Sequence, residues 1–335
     1  MLFKNKIYAL AFLAFALSCN SETKKENSAS TESTAQTALV KAPNFSADSA
    51  YLLVEKQVNF GPRVPNTAAH VKCGDWMAAE LKANGFEVTE QKFKATTYDG
   101  KALNARNIIG SYNPNATKRI LLAAHWDSRP FADKDTVNQN KPIDAANDGA
   151  SGVGVLLELA RTINNAATKP NVGIDIIFFD AEDWGAPHTY TGKTDDYGGY
   201  CLGSSYWSKN LHKPNYSAYY GVLLDMVGAK GATFMQEDGS MQIAPSVVNN
   251  IWGLAGQLGY SQYFVPEKGA GLTDDHVPVY MNAKIPMIDI IDLRKTENTF
   301  FEYHHTHGDN IKTIDKTTLK AVGQTLVQML YQESI

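Results

Sequence analysis

The sequence predicts an α/β fold: a single-domain, three-layer sandwich around a central mixed, largely parallel sheet. Three observations carry this. Four short, nearly unbroken apolar runs, at 120–124, 174–179, 219–224 and 285–290, read as strands buried on both faces. Segments of helical spacing separate them, and strands alternating with helices make a layered sheet rather than a bundle. With 335 residues, 44% hydrophobic and 20% charged, the chain buries a sizeable core without a disulfide scaffold.

In chain order, the first 18 residues read as an address. Lys4 and Lys6 precede an apolar run from Ile7 to Leu17, too short to span a bilayer but suited to a signal-peptide core. Ser18-Cys19 resembles the lipobox of bacterial lipoproteins, with its leucine one place later than usual. The resemblance implies a lipid on Cys19, membrane contact through that anchor alone, and a place in the bacterial cell envelope, on the inner or outer membrane facing the periplasm. From Asn20 to about Lys41 almost nothing is apolar, so residues 19–45 are expected to form a disordered tether and 46–335 the folded domain.

Helices are expected over 46–58 and 66–84, with Ser46 and Asn66 as N-caps, Gly85 as a stop and a rigid turn at Gly61–Pro65 between them. Residues 86–93 alternate and predict a half-buried strand; 105–112 predict another, nearer an edge. Further helices are expected over 152–164, 203–210, 245–258 and 313–332. The polar loop 129–147 is expected to rim a site, and Trp126, Trp207 and Trp252 to pack in the core. Thirty-one Lys plus Arg against 35 Asp plus Glu give a net charge of −4, about −6 without residues 1–18. That near-balance removes the electrostatic basis for a nucleic-acid partner. Three cysteines are too few for a Cys-rich zinc site; Cys73 and Cys201 either pair or lie buried and free. The domain reads as a monomer.

The polar residues gather at strand ends. His125-Trp126-Asp127 follows the first run, Asp180-Ala181-Glu182-Asp183-Trp184 the second, and Asp225 ends the third. Asn147-Asp148-Gly149 precedes the best helix, and His304-His305-Thr306-His307-Gly308-Asp309 follows the last strand. Open α/β sheets bind ligands at the carboxyl ends of their strands, so these groups converge at one rim. Carboxylates converge in such number when a cation sits between them. Mixed imidazole and carboxylate donors favour zinc over calcium.

The stretches LLAAHWDSRPFAD, AANDGASGVGVLLELAR, IIFFDAEDWG, LLDMVG, TDDHVPVY and HHTHGDN, in this order, resemble the glutaminyl-peptide cyclases, relatives of the co-catalytic zinc aminopeptidases. The resemblance spans about 66–332 and is strongest to bacterial members. It implies a zinc enzyme that converts the N-terminal glutamine of peptides and proteins into pyroglutamate and ammonia. It assigns Asp148, Asp183 and His305 as ligands of one zinc, Glu182 as the general acid/base, and Asp225 and Asp274 as facing aspartates near the amide nitrogen. His125 matches the first ligand of the second metal in the aminopeptidases. Two departures stand out: Asp183 replaces the glutamate of animal cyclases, and His304 replaces a tryptophan, so the pocket is lined differently. Trp184 is expected to supply part of the missing aromatic wall, and His304 to contact substrate.

One carboxylate must take the proton from the attacking amine and hand it to the leaving nitrogen, and Glu182, adjacent to a ligand, is the candidate. Asp225 and Asp274 close together share a proton. Two rival readings remain. In a two-zinc aminopeptidase, His125 and Asp225 would join the ligands. A non-catalytic envelope binding lipoprotein would predict loss of Glu182, Asp148 or His305, and all three are present.

Overall fold

The structure, a computed structural model, describes residues 39–294 and 300–334. The signal segment, Cys19 and most of the tether lie outside the described residues. In chain order come α1 (Ala47–Val58), α2 (Ala68–Ala83), β1 (Glu87–Thr96), β2 (Ala102–Tyr112), β3 (Arg119–His125), α3 (Ala150–Asn165), β4 (Gly173–Phe179), α4 (Leu202–Lys209) and β5 (Tyr220–Asp225). Then follow β6 (Phe234–Gln236), α5 (Asp238–Ile243), α6 (Pro245–Gln257), β7 (Phe264–Lys268), the single turn α7 (His276–Pro278), β8 (Met287–Ile291) and α8 (Lys316–Gln332). No described helix is long and apolar enough to cross a membrane.

The main sheet has six strands in the order β1-β2-β4-β3-β5-β8. Strands β4, β3, β5 and β8 run parallel, while β2 pairs antiparallel with both β1 and β4. The sheet is mixed and largely parallel, as the sequence predicts. Alternate residues of β3 face opposite layers. Ile120, Leu122 and Ala124 join the core that holds Val153 and Leu157 of α3 and Leu326 of α8, whereas Leu121 and Ala123 pack with Trp207 of α4. Trp126, Trp207 and Trp252 are all buried.

Four expectations need correction. First, β2 is not at an edge: Ile108–Tyr112 pair with β4, and β1 is the edge strand. Second, Asn66 does not cap α2. It adopts φ 74° and its side chain accepts from the Asn104 N–H at 2.8 Å, while Thr67 caps the helix by accepting from the His70 N–H at 3.2 Å. Third, α8 begins at Lys316 because the Asp315 side chain caps it, accepting from the Thr317 N–H at 2.6 Å. Fourth, the tether ends earlier than residue 45. The Val40 N–H donates to Gln332 Oε1 at 2.7 Å, the Phe45 N–H donates to Gln324 Oε1 at 2.9 Å, and the Phe45 ring fills the space where Gly323 lacks a side chain. Cys73 and Cys201 are both free and buried, which decides between the two alternatives left open by the sequence.

One half-buried imidazole sets a pH dependence on the fold. Trp207 Nε1 donates to His212 Nδ1 at 3.1 Å, and burial pushes His212 down to about 4. The unfolded chain therefore binds a proton near pH 6.5 that the native state refuses until about pH 4. The stability from a neutral His212 is fully present above about pH 6.5 and is lost as pH falls towards 4. His212→Asn keeps an acceptor for Trp207 and cannot titrate there. The variant is expected to lose less melting temperature than wild type between pH 7 and pH 4, by about 2–4 °C for each kcal/mol of linkage removed. Identical losses in calorimetry would contradict this.

Candidate metal centre and active site

The parallel strands deliver their carboxyl ends to one rim. β3 ends at His125, β5 at Asp225, and β4 runs through Asp180 and Ala181 into Glu182 and Asp183. Asp148 lies just before α3, Asp274 just before α7, and His304 and His305 in the loop after β8. All eight of these candidate groups are buried. The backbone is bent to bring them together: Ala145, Ala181, Cys201, Met226 and His305 have φ between 49° and 60°. Each such residue costs about 1–3 kcal/mol and persists where its surroundings over-determine it. At Gly149, φ is 91° and a Cβ would lie 2.7 Å from His125 Cε1, so glycine alone lets the Asp148 loop close on His125.

Two further carboxylates hold these loops. Asp127 accepts the backbone N–H groups of Glu182 at 3.0 Å and Asp183 at 3.1 Å. Asp309 accepts those of Asn147 at 2.8 Å and Asp148 at 3.0 Å. Such charge-assisted bonds are stronger than neutral ones and fix where the acids point. Beneath them, the buried Arg63 guanidinium donates to the carbonyls of Asp144 and, at 2.7 Å, Ala145.

Asp148, Asp183 and His305 come together. His305 Nε2 is 3.2 Å from Asp183 Oδ1 and 3.7 Å from Asp148 Oδ2. Asp148 Oδ2 and Asp183 Oδ2 are buried without a hydrogen-bond partner among the described residues. Orphaned buried carboxylate oxygens are costly by themselves; Asp148, His304 and His305 offer ligand atoms within reach of one ion, with Asp183 beside His305, and these donors fit a metal ion. The neighbours settle which imidazole nitrogens are free. His305 Nδ1 lies 3.5 Å from Asp133 Oδ1, and Arg129 grips that carboxylate through two bonds, at 2.6 and 3.0 Å. A proton on Nδ1 leaves the Nε2 lone pair for a metal. His304 Nε2 also faces Asp148 Oδ2, at 3.8 Å, but Lys134 donates to His304 Nδ1 at 2.5 Å. The hydrogen of neutral His304 therefore sits on Nε2, which makes that nitrogen a donor and not a ligand.

A second group shares Asp148. His125 Nε2 is 3.0 Å from Asp148 Oδ1 and 3.2 Å from Asp225 Oδ1, so His125, Asp148 and Asp225 also lie within reach of one ion. Burial disfavours charge on His125, but its bonds to Asp127, Asp148 and Asp225 outweigh that and hold the imidazole well above its ordinary pKa. Burial pushes Glu182 up, opposed by His125 and reinforced by Asp183 and Asp274; burial and then Asp225 push Asp274 up strongly. Asp183 and Asp225 are raised, first by burial, whereas His125 and the paired histidines outweigh burial at Asp148 and lower it.

Asp148, Glu182, Asp183, Asp225, Asp274 and His305 line a cavity of about 160 Å³, with Lys134, Tyr200, Met226, Leu272, Ile291, Phe300 and His304 among the other residues of its wall. That is below the ~300–1,000 Å³ of sites that enclose a drug-sized ligand, and suits one terminal residue. His304 lines it, as expected. Trp184 does not: it packs with Phe93, Leu103 and Ala181, with Lys101 Nζ 5.4 Å from the ring centroid. The indole turns towards β1 and β2, and the apolar wall comes instead from Met226, Leu272, Ile291 and Phe300. Sequence reasoning assigned no role to Asp127, Asp133, Lys134, Cys201 or Asp309. Asp127 and Asp309 stand inside quoted motifs, two residues after His125 and four after His305, which was the available signal.

The profile of peptidase family M28 matches residues 107–330. Among solved structures, a Zn-dependent exopeptidase from Parabacteroides distasonis ATCC 8503 is 52% identical, with 87% of this chain and 99% of that one covered and a TM-score of 0.84. A glutaminyl cyclase from Bacteroides thetaiotaomicron is 50% identical, with 87% and 99% covered and a TM-score of 0.84. The glutaminyl-peptide cyclotransferase of Bos taurus is 28% identical over 244 residues, 66% of this chain and 64% of that protein, so the match spans just under two thirds of the bovine length.

Two results test the geometry. Asp148→Ala and His305→Ala are expected to leave the protein without stoichiometric metal by elemental analysis; a full complement in either would show that the ligand set is wrong. Asp309→Ala frees the Asp148 backbone without touching a ligand, and is expected to weaken metal affinity about 10–100-fold in chelator competition.

Proposed function

The chain belongs to peptidase family M28, and we propose that it acts there as a glutaminyl-peptide cyclotransferase, closing N-terminal glutamine of peptides and proteins to pyroglutamate with release of ammonia. The observation that carries this reading is Glu182. Its carboxylate lines the cavity one residue from Asp183, 3.9 Å from His125 Nδ1 and 3.7 Å from Cys201 Sγ; it stands outside the sets around His305 and His125 and groups instead with Cys201 and Asp274. A carboxylate beside the ligands yet free of them is placed to carry a proton.

One zinc bound by Asp148, Asp183 and His305 supplies a Lewis acid with an open position for a carbonyl oxygen. The residues of the chain do the rest. The small cavity holds the glutamine side chain folded back on its own amine, so the attack is intramolecular. As the amine nitrogen bonds to the side-chain amide carbon, Glu182 takes a proton from it. Glu182 then gives that proton to the amide nitrogen, the carbon–nitrogen bond breaks and ammonia leaves. Asp225, held by His125 Nε2, accepts a hydrogen bond from the amide nitrogen, while Asp274, kept protonated by burial and by Asp225, donates one.

A two-zinc aminopeptidase is the second reading, favoured by the grouping of His125, Asp148 and Asp225. Against it, Asp274 lines the same cavity as Asp225, a pair of carboxylates suited to sharing a proton at the leaving nitrogen. In our reading the domain works as a monomer on exported proteins that expose glutamine after signal cleavage. It is anchored in the envelope through a lipid on Cys19 and faces the periplasm.

Glutamine dipeptides are expected to yield ammonia and pyroglutamate, and amino-acid anilides no free amino acid; the reverse pattern supports the peptidase. Glu182→Gln is expected to lower kcat about 10²–10⁴-fold while one zinc stays bound. Near-normal turnover in that variant would remove Glu182 from the mechanism.

A further inference from the structure

The cavity is lined by five carboxylates, Asp148, Glu182, Asp183, Asp225 and Asp274, and among its described lining residues Lys134 is the one lysine or arginine. Its position is fixed from several sides. The Lys134 N–H donates to the His305 carbonyl at 3.3 Å, Nζ donates to His304 Nδ1 at 2.5 Å, and Nζ lies 5.5 Å from the centroid of the Phe300 ring. The neighbouring residues are tied as firmly. Arg129 grips Asp133, and Asp135 Oδ2 accepts from the His307 N–H at 3.0 Å and lies 2.8 Å from His307 Nδ1. The loop 129–135 is thus fastened to the loop 304–307 that carries His305. An ammonium has three donors, and the His304 bond uses one. The other two have an established wall behind them and a cavity in front.

We propose that Lys134 is a specificity determinant that recognises a carboxylate on the residue following the N-terminal glutamine. The inference rests on the cyclase reading. Ring closure uses the amine, the Cα and the side chain of glutamine, so its α-carbonyl and the next residue form the only path out of the cavity. Glu182, Asp225 and Asp274 serve the amine and amide nitrogens, and the ionised acids among them repel a negative group. Lys134, beside His304 and Phe300, offers such a group its one full positive charge. A carboxylate there arises in two ways: as the terminus of a dipeptide, or as an Asp or Glu side chain at the second position. Both place an anion within reach of a long, partly desolvated ammonium, where charge-assisted bonding is stronger than between neutral groups. The interaction is made in the ground state and in the transition state alike, so it acts on KM and not on kcat.

The test compares matched peptides on the metal-loaded enzyme. Gln-Ala against Gln-Ala-amide varies the terminus alone, and Gln-Glu-Ala-amide against Gln-Gln-Ala-amide varies the side chain alone. Wild type is expected to favour the acid of at least one pair by about tenfold in kcat/KM, the equivalent of about 1.4 kcal/mol. Lys134→Met is expected to abolish that preference, the acid and amide members of each pair converging in kcat/KM, and Lys134→Arg to retain most of it. Should Lys134→Met fail to fold, the wild-type preference must still shrink as ionic strength rises. Equal losses on acid and amide peptides, or a wild-type ratio near one at low salt, overturn the proposal. Absence of ammonia from every peptide would instead overturn the cyclase reading, so the two failures are separable.

Discussion

Burying Asp148, Glu182, Asp183, Asp225 and Asp274 around one small cavity is the constraint to which the rest of the rim responds. Carboxylates removed from water repel one another and lose hydration, so such a cluster unfolds a chain unless positive charge and donors are arranged around it. Each acid has its own remedy. In the proposed reading one metal ion takes the free oxygens of Asp148 and Asp183; His125 lies between Asp148 and Asp225, and Arg129 donates to Asp183 at 3.2 Å. Glu182 and Asp274 have the least compensation, and burial pushes both well above the ordinary carboxylate range.

Positioning is separated from chemistry. Asp127, Asp133 and Asp309 touch backbone N–H groups or a ligand imidazole and leave the cavity itself to other residues. This division bears on the left-handed, non-glycine residues Ala145 and Ala181: each sits beside a segment whose backbone N–H groups Asp309 or Asp127 has engaged. It also explains why two adjacent histidines behave differently. Asp133 behind His305 frees Nε2 for coordination, whereas Lys134 behind His304 turns the equivalent nitrogen into a donor.

Much of this was legible in the sequence. The buried strands announced themselves as apolar runs, because a parallel strand covered on both faces has no polar alternation to obscure it. Their terminal residues His125, Glu182 and Asp225 followed, since the rim of such a sheet is where its strands end. The small β6–β7 sheet was not legible: Phe234–Gln236 is three residues long and pairs with a strand nearly thirty residues away. The start of the domain was misjudged because Val40 and Phe45 are isolated apolar residues, and only Gly323 on the distant α8 gives the Phe45 ring a place to pack. Trp184 was expected to replace the aromatic wall lost where His304 stands, yet its indole packs with Phe93 and Leu103 instead. Lys134 was hidden inside a polar loop, where sequence cannot distinguish a solvated lysine from one held against His304.

The account stands on a single cation gripped by two aspartates and one imidazole. Anomalous diffraction recorded on both sides of the zinc absorption edge, from crystals of the protein as purified, tests this most directly. It should reveal one peak at about 2.0–2.2 Å from the Asp148 and Asp183 carboxylates and His305 Nε2, and none beside His125 and Asp225. A second peak of equal height between His125 and Asp225, or no peak at His305, would contradict it.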